Sequence, residues 1–205
     1  MFRRMSRSLT AWCLTCLLAH TLTQASALTP QGDKHTLQLA RDGQALYTII
    51  IPADASEHET SAAQTLKQYL DRITGGSFVI ERDQDNIPVP HISLGRTRQV
   101  LQQPALVTID KDLSGDALAI QVQQENIHLL GRDAGIRHAV MALLEEDLGC
   151  RWFSHRRTHI PSDASLQAAI TPRISRPAFD LRMVYTATVL SSDPQWTQNN
   201  RVMAW

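Results

Sequence analysis

The chain has 205 residues, 20 Lys plus Arg against 20 Asp plus Glu, and 43% hydrophobic residues. That apolar share supports a folded core and excludes wholesale disorder. The even charge balance excludes a typical nucleic-acid binder, which carries a basic excess, and no apolar run reaches the roughly 18 residues of a membrane-spanning helix.

Residues 1–27 read as an export signal. Arg3, Arg4 and Arg7 make a basic start, Leu9 to Leu22 is mostly apolar, and Ala25-Ser26-Ala27 has the small-x-small form of a cleavage site. A secreted or periplasmic product is expected, with no membrane contact after cleavage. Cleavage after Ala27 removes three arginines and two of the three Cys, leaving a net charge of −3 and Cys150 alone. An internal disulfide framework is then excluded.

The mature chain begins with an alternating strand at 36–41 and a more buried, β-branched strand at 46–51, joined by the turn residues Asp42-Gly43. The period changes at 56–74. Ser56 and Glu59 have capping-box spacing, Ala62, Leu66, Tyr69, Leu70 and Ile73 form one helical stripe, and Gly75-Gly76 ends it. Strands follow at 77–82 and 90–94, so 46–82 reads as strand, helix, strand. A short helix is expected at 96–104, stopped by Pro104, then a polar connection.

Residues 117–123 and 126–130 pair as a hairpin through Gln124-Glu125. A second main helix spans 134–148, with Asp133 as N-cap, Ile136, Val140, Leu143, Leu144 and Leu148 inside, and Gly149 after its end. Residues 150–153 and 158–160 are short strands. The whole is an α+β domain over 28–170: a mixed β-sheet with two main helices packed on one face. Pro172 to Pro177 reads as a linker, 178–190 as a strand, and 194–205 as the start of a helix with Pro194 in its first turn.

Catalytic signatures are missing: no HExxH, GxSxG, P-loop or GxGxxG occurs. The Gly131–Gly135 stretch reads as a strand-to-helix turn rather than an anion site. Glu145, Glu146 and Asp147 read as a solvated face, because consecutive helix residues point about 100° apart and do not flank one bond. His155 and His159 bracket Arg156 and Arg157, and two cations oppose a metal ion, so no metal and no cofactor is expected. Cys150 reads as a buried structural thiol.

The stretch Leu144-Glu145-Glu146-Asp147-Leu148-Gly149-Cys150-Arg151-Trp152-Phe153, followed by His159-Ile160-Pro161, resembles the N-terminal domain of secreted bacterial carbohydrate-active proteins. These are the α-glucuronidase N-terminal domain and the hexosaminidase domain-two superfamily. Ile51-Pro52, Ala62-Ala63, Ile73-Thr74-Gly75 and Ile92-Ser93-Leu94-Gly95 match the same pattern, which spans about 46–161. The resemblance implies a (β/α)8 barrel after this domain. Arg176-Pro177-Ala178-Phe179 and Leu181-Arg182 look like the entry to its first strand, and Trp196, Asn199, Asn200 and Arg201 like its first helix. A barrel needs eight such units, so 171–205 reads as a linker and the start of a truncated barrel, and no catalytic carboxylate is carried over.

By the same resemblance Arg182 contacts substrate, against the alternative of a structural ion pair, and Trp152 and Arg151 reach the boundary between domain and barrel, against burial of Trp152 in the core. The implied function is a non-catalytic N-terminal accessory domain of an exported glycoside hydrolase, α-glucuronidase or hexosaminidase-like, in polysaccharide breakdown. Its partner is a carbohydrate reached through the barrel. The alternative is a stand-alone carbohydrate-binding or interaction module, which needs an exposed aromatic platform; Trp152 is its main candidate.

Overall fold

The computed structural model describes residues 33–154, 156–179, 182 and 194–201. The signal reading at 1–27, His155 and most of the strand read at 178–190 lie outside the described residues.

The described chain opens with β1 (His35–Gln38), β2 (Ala40–Arg41) and β3 (Gln44–Ala45). Asp42 and Gly43, at φ 51° and 78°, make the two-residue turn between β2 and β3, where such a turn needs the left-handed region. β4 (Thr48–Ile51), α1 (Glu57–Thr74) and β5 (Val79–Arg82) form the expected strand–helix–strand unit, with β4 and β5 parallel neighbours. The capping box closes on both sides: Ser56 Oγ accepts from the Glu59 amide at 3.2 Å, and Glu59 Oε2 from the Ser56 amide at 2.8 Å.

β6 (His91–Leu94) pairs parallel to β4. Two short helices follow, α2 (Arg98–Leu101) and α3 (Pro104–Asp112). β7 (Leu118–Gln123) and β8 (Asn126–Gly131) pair antiparallel around Gln124-Glu125. α4 (Ala134–Ala142) runs straight into a π turn at Leu143–Asp147. β9 (Arg151–Ser154) and β10 (Arg157–His159) form an antiparallel ribbon of their own. β11 (Gln167–Ile170), β12 (Arg173–Ser175) and α5 (Pro194–Asn199) complete the described elements.

The main sheet has the order β12-β7-β8-β6-β4-β5 and is mixed, as expected. Side-chain alternation divides its two faces. Ile49, Ile92, Ile120 and Leu129 point toward α1 and α4, which pack on each other and on this face through Leu66, Leu70, Ile136 and Val140. Each such fully buried side chain contributes about 1.5–3 kcal/mol. Ala119 and Leu130 point the other way and pack with Val100, Leu106 and Leu113 under α2 and α3.

The Gly131–Gly135 stretch is the strand-to-helix turn expected of it. A Cβ on Gly131 would overlap the Gly135 backbone, and one on Gly135 would meet the Ala117 carbonyl at 2.5 Å. Only glycine lets the start of α4 sit this close to β7 and β8.

Several readings change. Residues 36–41 and 46–51 do not form one hairpin: β1 pairs with the distant β11, and β4 lies inside the main sheet between two parallel partners. Pro104 starts α3 instead of stopping a helix, since its missing N–H and fixed φ suit a first helical position. The stretch read as a linker at 172–177 supplies the edge strand β12, which follows Pro172 and pairs with β7. The helix read at 134–148 is α-helical only to Ala142. Asp133 holds the N-cap position at φ 44°, but its side chain makes no capping bond.

Candidate functional site

Residues 194–201 meet the domain at a polar seam. Its centre is a ring pair, Tyr69 on α1 and Trp152 on β9, with centroids 5.6 Å apart and planes at 81°. The Trp152 indole N–H donates to the Tyr69 hydroxyl at 2.7 Å. Tyr69 in turn lies 3.3 Å from the Asn199 side-chain oxygen when that amide is oriented to satisfy both of its ends. The Trp152 backbone carbonyl accepts from Trp196 Nε1 at 3.0 Å and from Asn200 Nδ2 at 3.3 Å. One aromatic pair therefore presents a hydroxyl and a carbonyl to three side chains in or just after α5.

The acidic run is a solvated face only in part: Glu146 stays exposed, while the Asp147 side chain is buried. Arg201 reaches Glu145 at 2.6 Å and Glu146 at 3.3 Å. Asp147, with its side chain 4% exposed, is held by Arg173 at 2.8 Å and 3.2 Å and by the Thr171 amide at 3.2 Å. The π turn carries these carboxylates, and the Ala142 carbonyl just before it accepts from Arg173 at 3.2 Å. Arg173 therefore ties β12 to the end of the second main helix.

Of the three residues singled out for substrate contact, Trp152 and Arg151 are neighbours on β9. Trp152 is 5% exposed, so its ring offers no platform to a sugar. Arg151, its strand neighbour, points to the outer face and donates to the Cys150 carbonyl at 2.7 Å and to the Glu145 carbonyl. Arg182 makes an ion pair with Asp116. Asp116 also accepts through its backbone carbonyl from the His138 ring at 3.4 Å. Burial pushes the His138 imidazole below its ordinary range, and the Arg182 and Arg201 charges add to that effect while Asp116 opposes it. Each of the three thus has a partner among the described residues.

Sequence reasoning missed a second buried cluster. Ser93 Oγ and His128 Nδ1 are 2.7 Å apart on neighbouring strands, and the His91 ring stands 6.0 Å from that of His128. Burial, with His91 beside it, lowers His128 to about 4. All three side chains are fully buried, so this serine–histidine pair is closed to a substrate. The available signal was a polar residue between apolar ones at a matching place in two strands, His-Ile-Ser-Leu and Asn-Ile-His-Leu-Leu. Cys150 is buried as expected, and burial raises its thiol to about 11. Among the described residues no group of three or more His, Cys, Asp or Glu is placed to hold a metal ion, and no helix is long and apolar enough to cross a membrane.

No family model and no curated protein matches the chain. Among solved structures it is similar to a family GH115 4-O-methyl-α-glucuronidase with specificity for decorated arabinogalactans, at 14% identity and TM-score 0.49 over 72% of this chain and 19% of that one. It is also similar to a chitobiase of Flavobacterium johnsoniae, at 13% identity and TM-score 0.48 over 80% of this chain and 22% of that one. A GH20 exo-β-N-acetylglucosaminidase of Vibrio harveyi matches at 20% identity and TM-score 0.42 over 80% of this chain and 21% of that one. The chain thus spans about a fifth of the length of these structures, and likenesses this distant do not extend to activity or substrate.

Proposed function

We propose that the domain at 33–175 is the non-catalytic accessory module of an exported glycoside hydrolase, of α-glucuronidase or hexosaminidase-like kind, acting in polysaccharide breakdown. In this reading residues 1–27 direct export, and the chain after Arg176 leads into a (β/α)8 barrel that carries the carboxylates and meets the carbohydrate. The module supports that barrel.

The observation that carries the reading is the seat for α5. Tyr69 and Trp152 come from two elements of the domain, and both turn polar atoms toward Trp196, Asn199 and Asn200. Trp152 belongs to the Leu-Gly-Cys-Arg-Trp-Phe run on which the family resemblance rests. Among the described residues the acidic run is engaged by Arg173 and Arg201, which leaves it ill suited to acid–base work on a sugar.

Amide hydrogen exchange over 196–201 in the full chain tests the seat. Exchange slowed by at least about tenfold against unstructured peptide is expected. Exchange at the unstructured rate would overturn the reading.

A further inference from the structure

Strand alternation turns Trp152 inward and its neighbour Phe153 outward, at 61% exposure. Around Phe153 the β9–β10 ribbon is cationic. The Arg157 guanidinium stands 5.7 Å over the Phe153 ring. Arg151 shares the outward side of β9 with Phe153 and is paired across the ribbon with His159. Arg156 and Arg157 are both exposed, and neither has a carboxylate within ion-pair distance among the described residues. In contrast, Arg173, Arg176, Arg182 and Arg201 all have acidic partners.

We propose that the outer face of the β9–β10 ribbon, Phe153 with Arg157, binds an anionic polysaccharide whose sugars carry carboxylates. The proposal rests on the carbohydrate-related reading above and adds a ligand class and a place. An apolar ring suits the C–H face of a sugar. A guanidinium fork suits a carboxylate, and the one over the ring is held in place by the ring's own charge distribution. Charge complementarity therefore selects an acidic glycan over a neutral one.

The surface is poorly suited to the other acidic partners. A protein interface needs about 800 Å² a side with an apolar centre, whereas Phe153 is the single large apolar residue exposed on this ribbon among the described residues, with Ser154, Thr158 and His159 around it. A nucleic acid calls for a basic excess that the chain lacks.

Affinity electrophoresis of the full chain tests the proposal with three probes: polygalacturonate, neutral galactan and poly-glutamate. Retardation by polygalacturonate alone is expected, weakening as salt is raised. Phe153→Ala and Arg157→Ala each weaken it about tenfold, as for the loss of a central aromatic or arginine contact, and Arg176→Ala leaves it unchanged. Circular dichroism of each variant checks that the fold is kept. Absence of retardation by polygalacturonate, equal retardation by poly-glutamate or galactan, or no effect of the two ribbon variants overturns the proposal. The accessory reading fails on a different result, turnover of a glycoside, so the two failures are distinguishable.

Discussion

The Trp152 indole on β9 and the Tyr69 hydroxyl on α1 meet at 2.7 Å across 83 residues of chain. Both side chains are buried, so the bond satisfies polar atoms that water does not reach. Tyr69→Phe keeps the ring and removes the hydroxyl. The expected cost is about 1–2 kcal/mol, the range for leaving a buried partner unmet, read as a lower urea midpoint. A midpoint equal to that of the parent chain would show that the pair contributes nothing.

Asp147 and Arg173 form a mostly buried pair, with side chains 4% and 15% exposed. Removing Asp147 leaves Arg173 only the half-exposed Glu146, at 3.2 Å, as an acidic partner. Asp147→Asn is expected to cost about 3 kcal/mol. Asp147→Leu combined with Arg173→Met, which removes both charges, is expected to recover much of that loss. Urea denaturation of the three chains measures it, and a double variant less stable than Asp147→Asn would contradict this account.

Acid should weaken the fold through His128. Burial lowers its folded value to about 4 from the usual 6.5, with His91 adding to the effect. Between those two values the unfolded chain binds a proton that the folded chain refuses. Stability from this site is therefore complete above pH 6.5 and falls as pH drops toward 4, by about 3 kcal/mol in all. Proton NMR should show the His128 ring unprotonated at about pH 5.5 in the folded chain. A ring that titrates at the ordinary histidine value would contradict this.

Cys150 should be inert while the chain is folded. Burial raises its thiol to about 11, against smaller opposing effects of Arg151 and Arg72, and the thiolate is the reactive form. Iodoacetamide at about pH 8, read by mass spectrometry of the Cys150 peptide, should label it only after denaturant is added. Rapid labelling of the native chain would contradict the burial.

Much of the main sheet was legible in the sequence because its signals are local. The Ser56/Glu59 box, the β4–α1–β5 unit and the β7–β8 hairpin each depend on residues close in sequence. The partner of β1 was not legible. β11 lies about 130 residues later, and Gln167-Ala168-Ala169-Ile170 is half alanine, a weak strand former. Pro104 was ambiguous because proline both ends and begins helices. For the site, Trp152 and its burial in the core were legible, but its partner Tyr69 was not. That partner is a tertiary contact that strand alternation alone does not choose. The π turn was hidden for a related reason: it keeps Leu143 and Leu144 buried, so the apolar stripe reads like ordinary helix.

The central proposal is that the domain at 33–175 is an accessory module and not the part that hydrolyses a glycoside. Its most direct measurement is the release of p-nitrophenol by the purified full chain from p-nitrophenyl glucuronides and N-acetylhexosaminides. The account predicts release no faster than in buffer alone for every substrate. Saturable turnover of any of them by this chain would contradict it.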